Sequence, residues 1–175
     1  MLMRPDLARA YLAHEASPCP ARGEKLMYVR DRYSPGAKVA RPDQPLAEAV
    51  RIMLESHVGA LIVVESRGTA RRPVGILTDR DIVRGQLRLS ADLFCLTVGD
   101  VMTPDPLGIR ASLGVTEAIE ALHGRGVRRA PVVDDAGSLL GIITLDDLLP
   151  VVASELEELS TLIGTQARNE HRLAG

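Results

Sequence analysis

Aromatic residues are scarce in this sequence. It contains no tryptophan, three tyrosines and one phenylalanine, so aromatics make up only 2% of its 175 residues. Single-stranded nucleic acids bind on stacked aromatic side chains, and a surface of that kind is therefore not expected. The formal net charge is only −2, from 21 basic and 23 acidic residues, and gives no bulk attraction to DNA or to anionic membranes. We expect neither a nucleic-acid partner nor a membrane partner.

Cysteine is also scarce, since Cys19 and Cys95 stand alone without a CxxC pair or a histidine at ligand spacing. Two such free thiols are typical of a reducing compartment and predict no metal site. No apolar run approaches the ~18 residues that a membrane-spanning helix needs. Arg4, Pro5 and Asp6 interrupt the N-terminus, where a secretion signal would need an apolar core. These absences predict a cytoplasmic protein.

The remaining composition, 46% hydrophobic and 25% charged, is that of a globular chain with an aliphatic core. The length corresponds to about one domain. Within it the sequence repeats itself: Arg41 matches Arg110, 69 positions later, whereas GILTDRD at Gly75 matches GIITLDD at Gly141, only 66 positions later. The first copy therefore carries three extra residues in the segment ESRGTARRP, which we interpret as a longer hairpin loop because loops tolerate changes in length.

Each copy shows the same order of predicted elements. A short extended piece (38–40 or 107–109) precedes a helix whose apolar residues recur at helical spacing, beginning near Leu46 or Val115. A continuous apolar strand from Ala60 or Ala130 follows, and its lack of alternation predicts burial on both faces. A turn, a second strand and a second helix from Asp79 or Leu145 complete the copy. The fold class is α/β (α+β), with two β-α-β-β-α repeats packed about a pseudo-two-fold axis.

These repeats predict a domain organisation in four parts. Residues 1–26 form an N-terminal tail or linker, 27–91 the first repeat, 92–165 the second repeat with its linker, and 166–175 a C-terminal tail. Near the C-terminus, Val152, Leu156, Leu159 and Ile163 have coiled-coil-like spacing. We expect this stretch to cover the body of the fold, and an additional contact with a second subunit is compatible with that role.

Both copies pass from strand to helix through the pattern Gly-h-h-Thr-x-x-Asp, where h is apolar. The pattern predicts a capping box, in which Thr78 or Thr144 caps the helix and Asp81 or Asp147 bonds back to it. A helix N-terminus also offers free N–H groups and a positive dipole end, which suit a phosphate. A carboxylate there can accept bonds from two ribose hydroxyls. The glycine of each pattern allows a ligand or another backbone to approach closely.

The sequence resembles a tandem pair of CBS domains, also called a Bateman module. The resemblance rests on the two GhhTxxD patterns, on VGDVMTPDPLGIR (98–110) and on GVRRAPVVDDAGSLLGIIT (126–144), and covers residues 27–164. The first copy departs from the family pattern. There YSPGAKVARP (33–42) replaces the usual MTP-type segment, and HVGAL replaces the GVRRAP-type segment.

The resemblance implies a stand-alone regulatory module without catalysis of its own, which binds AMP, ADP or ATP, or alternatively S-adenosylmethionine or NAD, between the repeats. Mg²⁺ would enter only with ATP. By resemblance, Asp81 and Asp147 hold ribose hydroxyls, and Thr78 and Thr144 hold phosphate or ribose oxygens. The other implied ligand-binding residues precede and begin the middle strands: Val58, Gly59, Ala60, Val127, Arg128, Arg129, Ala130 and Pro131.

Arg128 and Arg129 stand where relatives carry basic phosphate contacts, whereas Gly59 and Ala60 bring no charge to the first copy. We therefore expect asymmetric sites, with more phosphate affinity in the second. The alternative is that both arginines are solvated surface residues. The module would signal to an unknown effector protein and form a homodimer. The alternative function is a non-catalytic interaction scaffold with vestigial nucleotide sites. An enzyme is disfavoured because no nucleophile–base pattern is present.

Overall fold

The computed structural model describes residues 27–154, 156–157 and 160–161. The predicted tails, Cys19 and two residues of the predicted coiled-coil stretch, Leu159 and Ile163, lie outside this range. The predicted boundaries between the parts of the chain also stay predictions.

The first half of the chain contains the predicted elements in the predicted order. After a 3-10 turn at Val29–Asp31 come β1 (Ser34–Pro35), β2 (Val39–Ala40), α1 (Leu46–Ser56), β3 (Ala60–Arg67), β4 (Ala70–Thr78) and α2 (Asp79–Leu89). The second half repeats the series. After a 3-10 turn at Leu93–Cys95 come α3 (Val98–Val101), β5 (Thr103–Pro104), β6 (Ile109–Arg110), α4 (Val115–Arg125), β7 (Arg129–Val133) and β8 (Leu139–Thr144). Residues 145–154, 156–157 and 160–161 are helical and form α5.

Burial follows the periodicity that predicted these elements. Helix α1 buries Leu46, Ala49 and Met53 along one face. Strand β3 buries four consecutive residues, Leu61 to Val64, each at most 2% exposed, as expected for a strand covered on both faces. Each repeat has its own aliphatic core, one around Leu61 and Leu77 and the other around Val132 and Ile143. The predicted fold class is confirmed.

The two repeats exchange a short strand with each other. Strand β1 pairs antiparallel with β8, with Ser34 opposite Ile142, and β5 pairs antiparallel with β4, with Thr103 opposite Ile76. The two sheets therefore have the orders β1-β8-β7-β6 and β2-β3-β4-β5. Because the exchange is reciprocal, residues from the beginning of each repeat complete the sheet of the other. Val29, for instance, is fully buried in the second core.

This exchange explains the glycines of the GhhTxxD pattern. A Cβ on Gly141 would collide with the carbonyl of Ser34 and the ring of Tyr33, and a Cβ on Gly75 would lie 2.5 Å from the sulfur of Met102. The sequence left open whether a ligand or another part of the chain approaches these glycines. In the structure, another segment of this chain makes the approach.

The prediction of a longer loop between β3 and β4 is wrong. Strands β3 and β4 pair as far as Arg67 and Ala70, which leaves a two-residue turn in which Gly68 has a φ of +63°. A two-residue turn needs only one or two residues with positive φ, and Gly68 is one of them. The extra residues are therefore not needed in the turn and extend the two strands. The lengthened hairpin reaches the second repeat, where the N–H of Arg71 donates to Ser138 Oγ at 3.3 Å.

The C-terminal stretch covers the body of the fold only in part, because its residue Val151 is buried in the second core whereas Val152 and Leu156 are not. Val152 is 36% exposed and Leu156 62% exposed, whereas Leu148 and Val151 are almost fully buried. The covering face of α5 is therefore offset from the face that the coiled-coil spacing indicated, and the predicted residues point to solvent.

Candidate functional site

The junction between β4 and α2 is closed by a complete capping box. Asp81 N donates to Thr78 Oγ1 at 3.2 Å, and Asp81 Oδ2 accepts from Thr78 N at 2.9 Å and from Thr78 Oγ1 at 2.6 Å. The cap holds the Asp81 carboxylate at the first turn of α2, where the helix dipole favours negative charge. Both side chains are half-buried.

The junction between β8 and α5 has the same hydrogen bonds. Asp147 Oδ2 accepts from Thr144 N at 2.8 Å and from Thr144 Oγ1 at 2.7 Å, and Asp147 N lies 3.4 Å from Thr144 Oγ1. The capping boxes predicted from the sequence are thus confirmed in both repeats. In each, the box occupies Oδ2 of the aspartate and leaves Oδ1 for another donor.

The second oxygens of the two aspartates differ in their surroundings. Ser34 Oγ donates to Asp147 Oδ1 at 3.5 Å, so the exchanged strand β1 brings a hydroxyl to the second junction. No residue in the described part of the chain donates to Asp81 Oδ1. Sequence reasoning missed Ser34. The signal was available, because Ser34-Pro35 aligns with Thr103-Pro104 at the 69-residue repeat offset.

The implied ligand-binding segments lie directly beside these junctions. Asp79 N, at the start of α2, donates to the carbonyl of Gly59 at 3.4 Å, and Leu145 N, at the start of α5, donates to that of Arg128 at 3.0 Å. Arg128 is exposed and Arg129 half-buried. Each helix start therefore lies against the residues that lead into the middle strand of the same repeat.

Some of the implied residues are buried and expose almost no side chain. Ala60 and Ala130 are 8% and 0% exposed, and Pro131 is also buried. Gly59, Val127 and Arg128 are exposed, and Val58 is half-buried. The ligand-binding roles of all these residues stay predictions.

A solvent-open cavity of about 560 Å³ lies beside the first junction, between α1 and α2. Its lining includes Val58, Gly59 and Asp79 but neither Thr78 nor Asp81, and its remaining walls are mostly apolar. The other lining residues are Val50, Met53, Leu54, His57 and Ile82. The cavity therefore meets the predicted ligand segment from the helical side of the first repeat.

A third capping box shows that the Thr-x-x-Asp pattern alone does not mark a ligand site. Thr97 caps the short helix α3, with its N–H donating to Asp100 Oδ2 at 2.8 Å and its hydroxyl at 2.7 Å. These bonds, the backbone one first, lower the pKa of Asp100 below its usual value. The junctions of α2 and α5 differ from this box because each follows a strand that contains a glycine and pairs with a strand from the other repeat.

The described residues contain no group of three or more histidine, cysteine, aspartate or glutamate side chains placed to hold a metal ion. No helix among them is long and apolar enough to cross a membrane. Cys95 is exposed.

Residues 29–88 and residues 98–154 each match the model of the CBS domain. The chain belongs to the CBS-domain family. An uncharacterized protein of Methanopyrus kandleri is 31% identical over 131 residues, which are 69% of this chain and 65% of that protein. This chain therefore spans about two thirds of the length of that relative.

Two solved CBS structures resemble this one. A conserved CBS domain protein of unknown function from Thermoplasma acidophilum matches with a TM-score of 0.64 and 27% identity, over 71% of this chain and 68% of that one. The crystal structure of CBSX2 in complex with AMP matches with a TM-score of 0.62 and 29% identity, over 73% of this chain and 97% of that one. The predicted resemblance to a CBS pair is confirmed.

Proposed function

We propose that this CBS pair is a non-catalytic regulatory module that binds adenosine-containing ligands at its two strand–helix junctions. The observation that carries the proposal is the pair of equivalent capping boxes, each of which fixes an aspartate beside a glycine and a strand from the other repeat. The AMP complex of CBSX2, a protein of the same fold, supports this ligand class.

In this proposal the chain's own groups recognise the sugar and the phosphate separately. Oδ1 of Asp81 or Asp147 accepts from ribose hydroxyls, while the positive dipole end of each helix attracts a phosphate. Arg128 and Arg129 add positive charge before the middle strand of the second repeat, where Gly59 and Ala60 of the first repeat bring none. The candidate ligands are AMP, ADP and ATP, then S-adenosylmethionine and NAD, with Mg²⁺ entering only together with ATP.

Regulation requires that the ligand bind one arrangement of the repeats more tightly than another, since it can shift an equilibrium only by that difference. The exchanged strands provide the link, because Ser34 of the first repeat contacts Asp147 of the second. We propose that an effector protein in the cytoplasm reads the change, and that the module acts as a homodimer.

Calorimetric titration tests the ligand class. The parent protein is titrated with AMP, ATP, S-adenosylmethionine and NAD, and the variants Asp81→Ala and Asp147→Ala with each ligand that binds. We expect each variant to lose one site. Asp100→Ala is the matched control, since it breaks the same kind of cap on α3 and should leave both sites intact. Absence of heat with all four ligands would overturn the proposal.

The alternative function, an interaction scaffold with vestigial sites, is favoured by one observation: the first junction has Gly59 and Ala60 where the second has two arginines. A scaffold would bind its partner equally well with Asp81 and Asp147 replaced by alanine. Its free energy of unfolding would fall only by the loss of the caps, about 1 kcal/mol each, and its melting temperature would change little.

A further inference from the structure

The first residue of α2 brings a carboxylate to the segment that leads into β3. Asp79 Oδ1 accepts from Arg80 N at 2.7 Å. Asp79 Oδ2 lies 3.5 Å from the position that a Cβ on Gly59 would take. Both Asp79 and Gly59 are exposed. A negative charge therefore lies in van der Waals contact with the place where a side chain at residue 59 would begin.

The equivalent place in the second repeat has the opposite character. Arg128 corresponds to Gly59 and Leu145 to Asp79, and both pairs are joined by the same backbone hydrogen bond from helix start to strand. The first junction thus has an anion and no side chain where the second has an apolar residue and a cation. The next residue reverses this contrast, because Arg80 of α2 corresponds to Asp146 of α5. What differs most between the junctions is therefore the position of the charges.

We propose that Asp79 makes the first cleft selective for adenosine derivatives without a phosphate, whether uncharged or cationic, while the second cleft takes the phosphorylated ones. This inference rests on the proposed function, which it makes more specific. Specificity often comes from a group that repels the wrong ligand, and a carboxylate beside the expected phosphate position acts in this way. Because the site is open to solvent, the repulsion is moderate.

The cavity beside Asp79 supports this selectivity. Its walls are formed mainly by apolar side chains of α1 and α2, among them Met53, Val58 and Ile82, and no lysine or arginine lines it. An apolar wall next to a carboxylate suits an alkyl, thioether or cationic substituent, and it offers a doubly charged phosphate no lysine or arginine as a partner.

Adenosine and AMP are the two probes, because they differ only by the phosphate. Calorimetry on Asp147→Ala reports the first cleft, and calorimetry on Asp81→Ala reports the second. We expect the first cleft to bind adenosine about tenfold more tightly than AMP, which corresponds to about 1.4 kcal/mol. We expect the second cleft to prefer AMP. Higher ionic strength should reduce the preference of the first cleft.

Removing the charge in the Asp147→Ala background tests Asp79 itself. Asp79→Leu copies the second repeat, and Asp79→Asn keeps the shape and serves if the leucine variant does not fold. Either should raise AMP affinity about tenfold and change adenosine affinity less than twofold. Asp43→Asn removes one exposed negative charge elsewhere and should change neither.

The outcomes separate the two proposals. If the first cleft binds AMP as tightly as adenosine, or if neither substitution at Asp79 changes their ratio, the selectivity inference is wrong and ligand binding stands. If the parent protein binds neither probe, ligand binding by adenosine compounds is overturned, and the inference falls with it.

Discussion

The two repeats use the same backbone hydrogen bonds but surround them with different side chains. In each repeat a parallel strand pair comes first along the chain, with Val39 opposite Ile62 and Ile109 opposite Val132. A Thr-Asp capping box then joins the last strand of the repeat to its second helix. The side chains beside the boxes differ in charge and size. The comparison teaches that the fold fixes where a ligand would lie, while individual side chains fix what kind of ligand it is.

The largest expected effect comes from the glycines that allow the strand exchange. Gly141 is opposed by rigid groups, the Ser34 carbonyl and the Tyr33 ring, whereas Gly75 is opposed mainly by the flexible side chain of Met102. We expect Gly141→Ala to lower the free energy of unfolding by about 2–3 kcal/mol and Gly75→Ala by about 1 kcal/mol. Urea denaturation measures both.

Gly124→Ala is the control for these substitutions. Gly124 lies within α4 with open space where its Cβ would be, so alanine should stabilise the helix by about 0.5–1 kcal/mol. Equal losses of unfolding free energy in Gly141→Ala and Gly75→Ala would contradict the expected difference. They would show that the backbone of β1 shifts as readily as the side chain of Met102.

The second prediction concerns the exposed apolar residues of α2 and α5. Val83 and Leu149 occupy equivalent positions in the two repeats and are 59% and 62% exposed, and Leu87 and Leu156 extend the two faces. If these faces form the proposed homodimer, Val83→Glu and Leu149→Glu should each weaken it at least tenfold, about 1.4 kcal/mol.

Light scattering over a range of concentrations measures the dimer. Glu65→Gln, an exposed change on β3, is a control that should have no effect. A parent protein that remains monomeric at every concentration would remove the homodimer from the proposal.

The third prediction compares the ends of the first helices of the two repeats. His57 and Gly126 are equivalent C-cap residues, and both have left-handed backbones, with φ of +52° and +64°. Glycine adopts this conformation without strain. We expect His57→Gly to stabilise the protein by about 0.5–1 kcal/mol and Gly126→Ala to destabilise it by about 1 kcal/mol. Thermal denaturation shows both, and a loss of stability in His57→Gly would mean that the imidazole makes a compensating contact.

The elements and caps could be predicted from sequence because their signals are local. Leu46, Ala49 and Met53 show helical spacing, the run from Leu61 to Val64 shows a buried strand, and Thr78 with Asp81 shows the cap. The strand exchange could not be predicted in this way, since a two-residue strand such as Ser34-Pro35 has no periodicity. Its location depends on tertiary packing.

The repeat alignment of Ser34-Pro35 with Thr103-Pro104 marks this segment, but its contacts at the candidate site depend on the same tertiary packing. The contact between Ser34 and Asp147 joins residues 113 positions apart, and the approach of Asp79 to Gly59 depends on how α2 leaves β4. The prediction of a longer loop between β3 and β4 failed because it relied on local composition alone. The glycine and arginines of that segment have the composition of a loop, but Gly68 needs only to form the turn while the arginines continue the strands.

The smallest expected effect concerns the capping box on α3, whose aspartate has no proposed role in ligand binding. The folded-state pKa of Asp100 is lowered, first by the backbone N–H of Thr97 and then by its hydroxyl. Asp100 therefore stabilises the fold above the pKa of its unfolded state, and this contribution is lost as the pH falls through the folded pKa. Asp100→Asn should narrow the difference in melting temperature between pH 6 and pH 3. Thr97→Ala keeps the backbone donor and should narrow it less. An unchanged difference in Asp100→Asn would show that other carboxylates account for the acid sensitivity, and the box on α3 would then be a cap without measurable charge stabilisation.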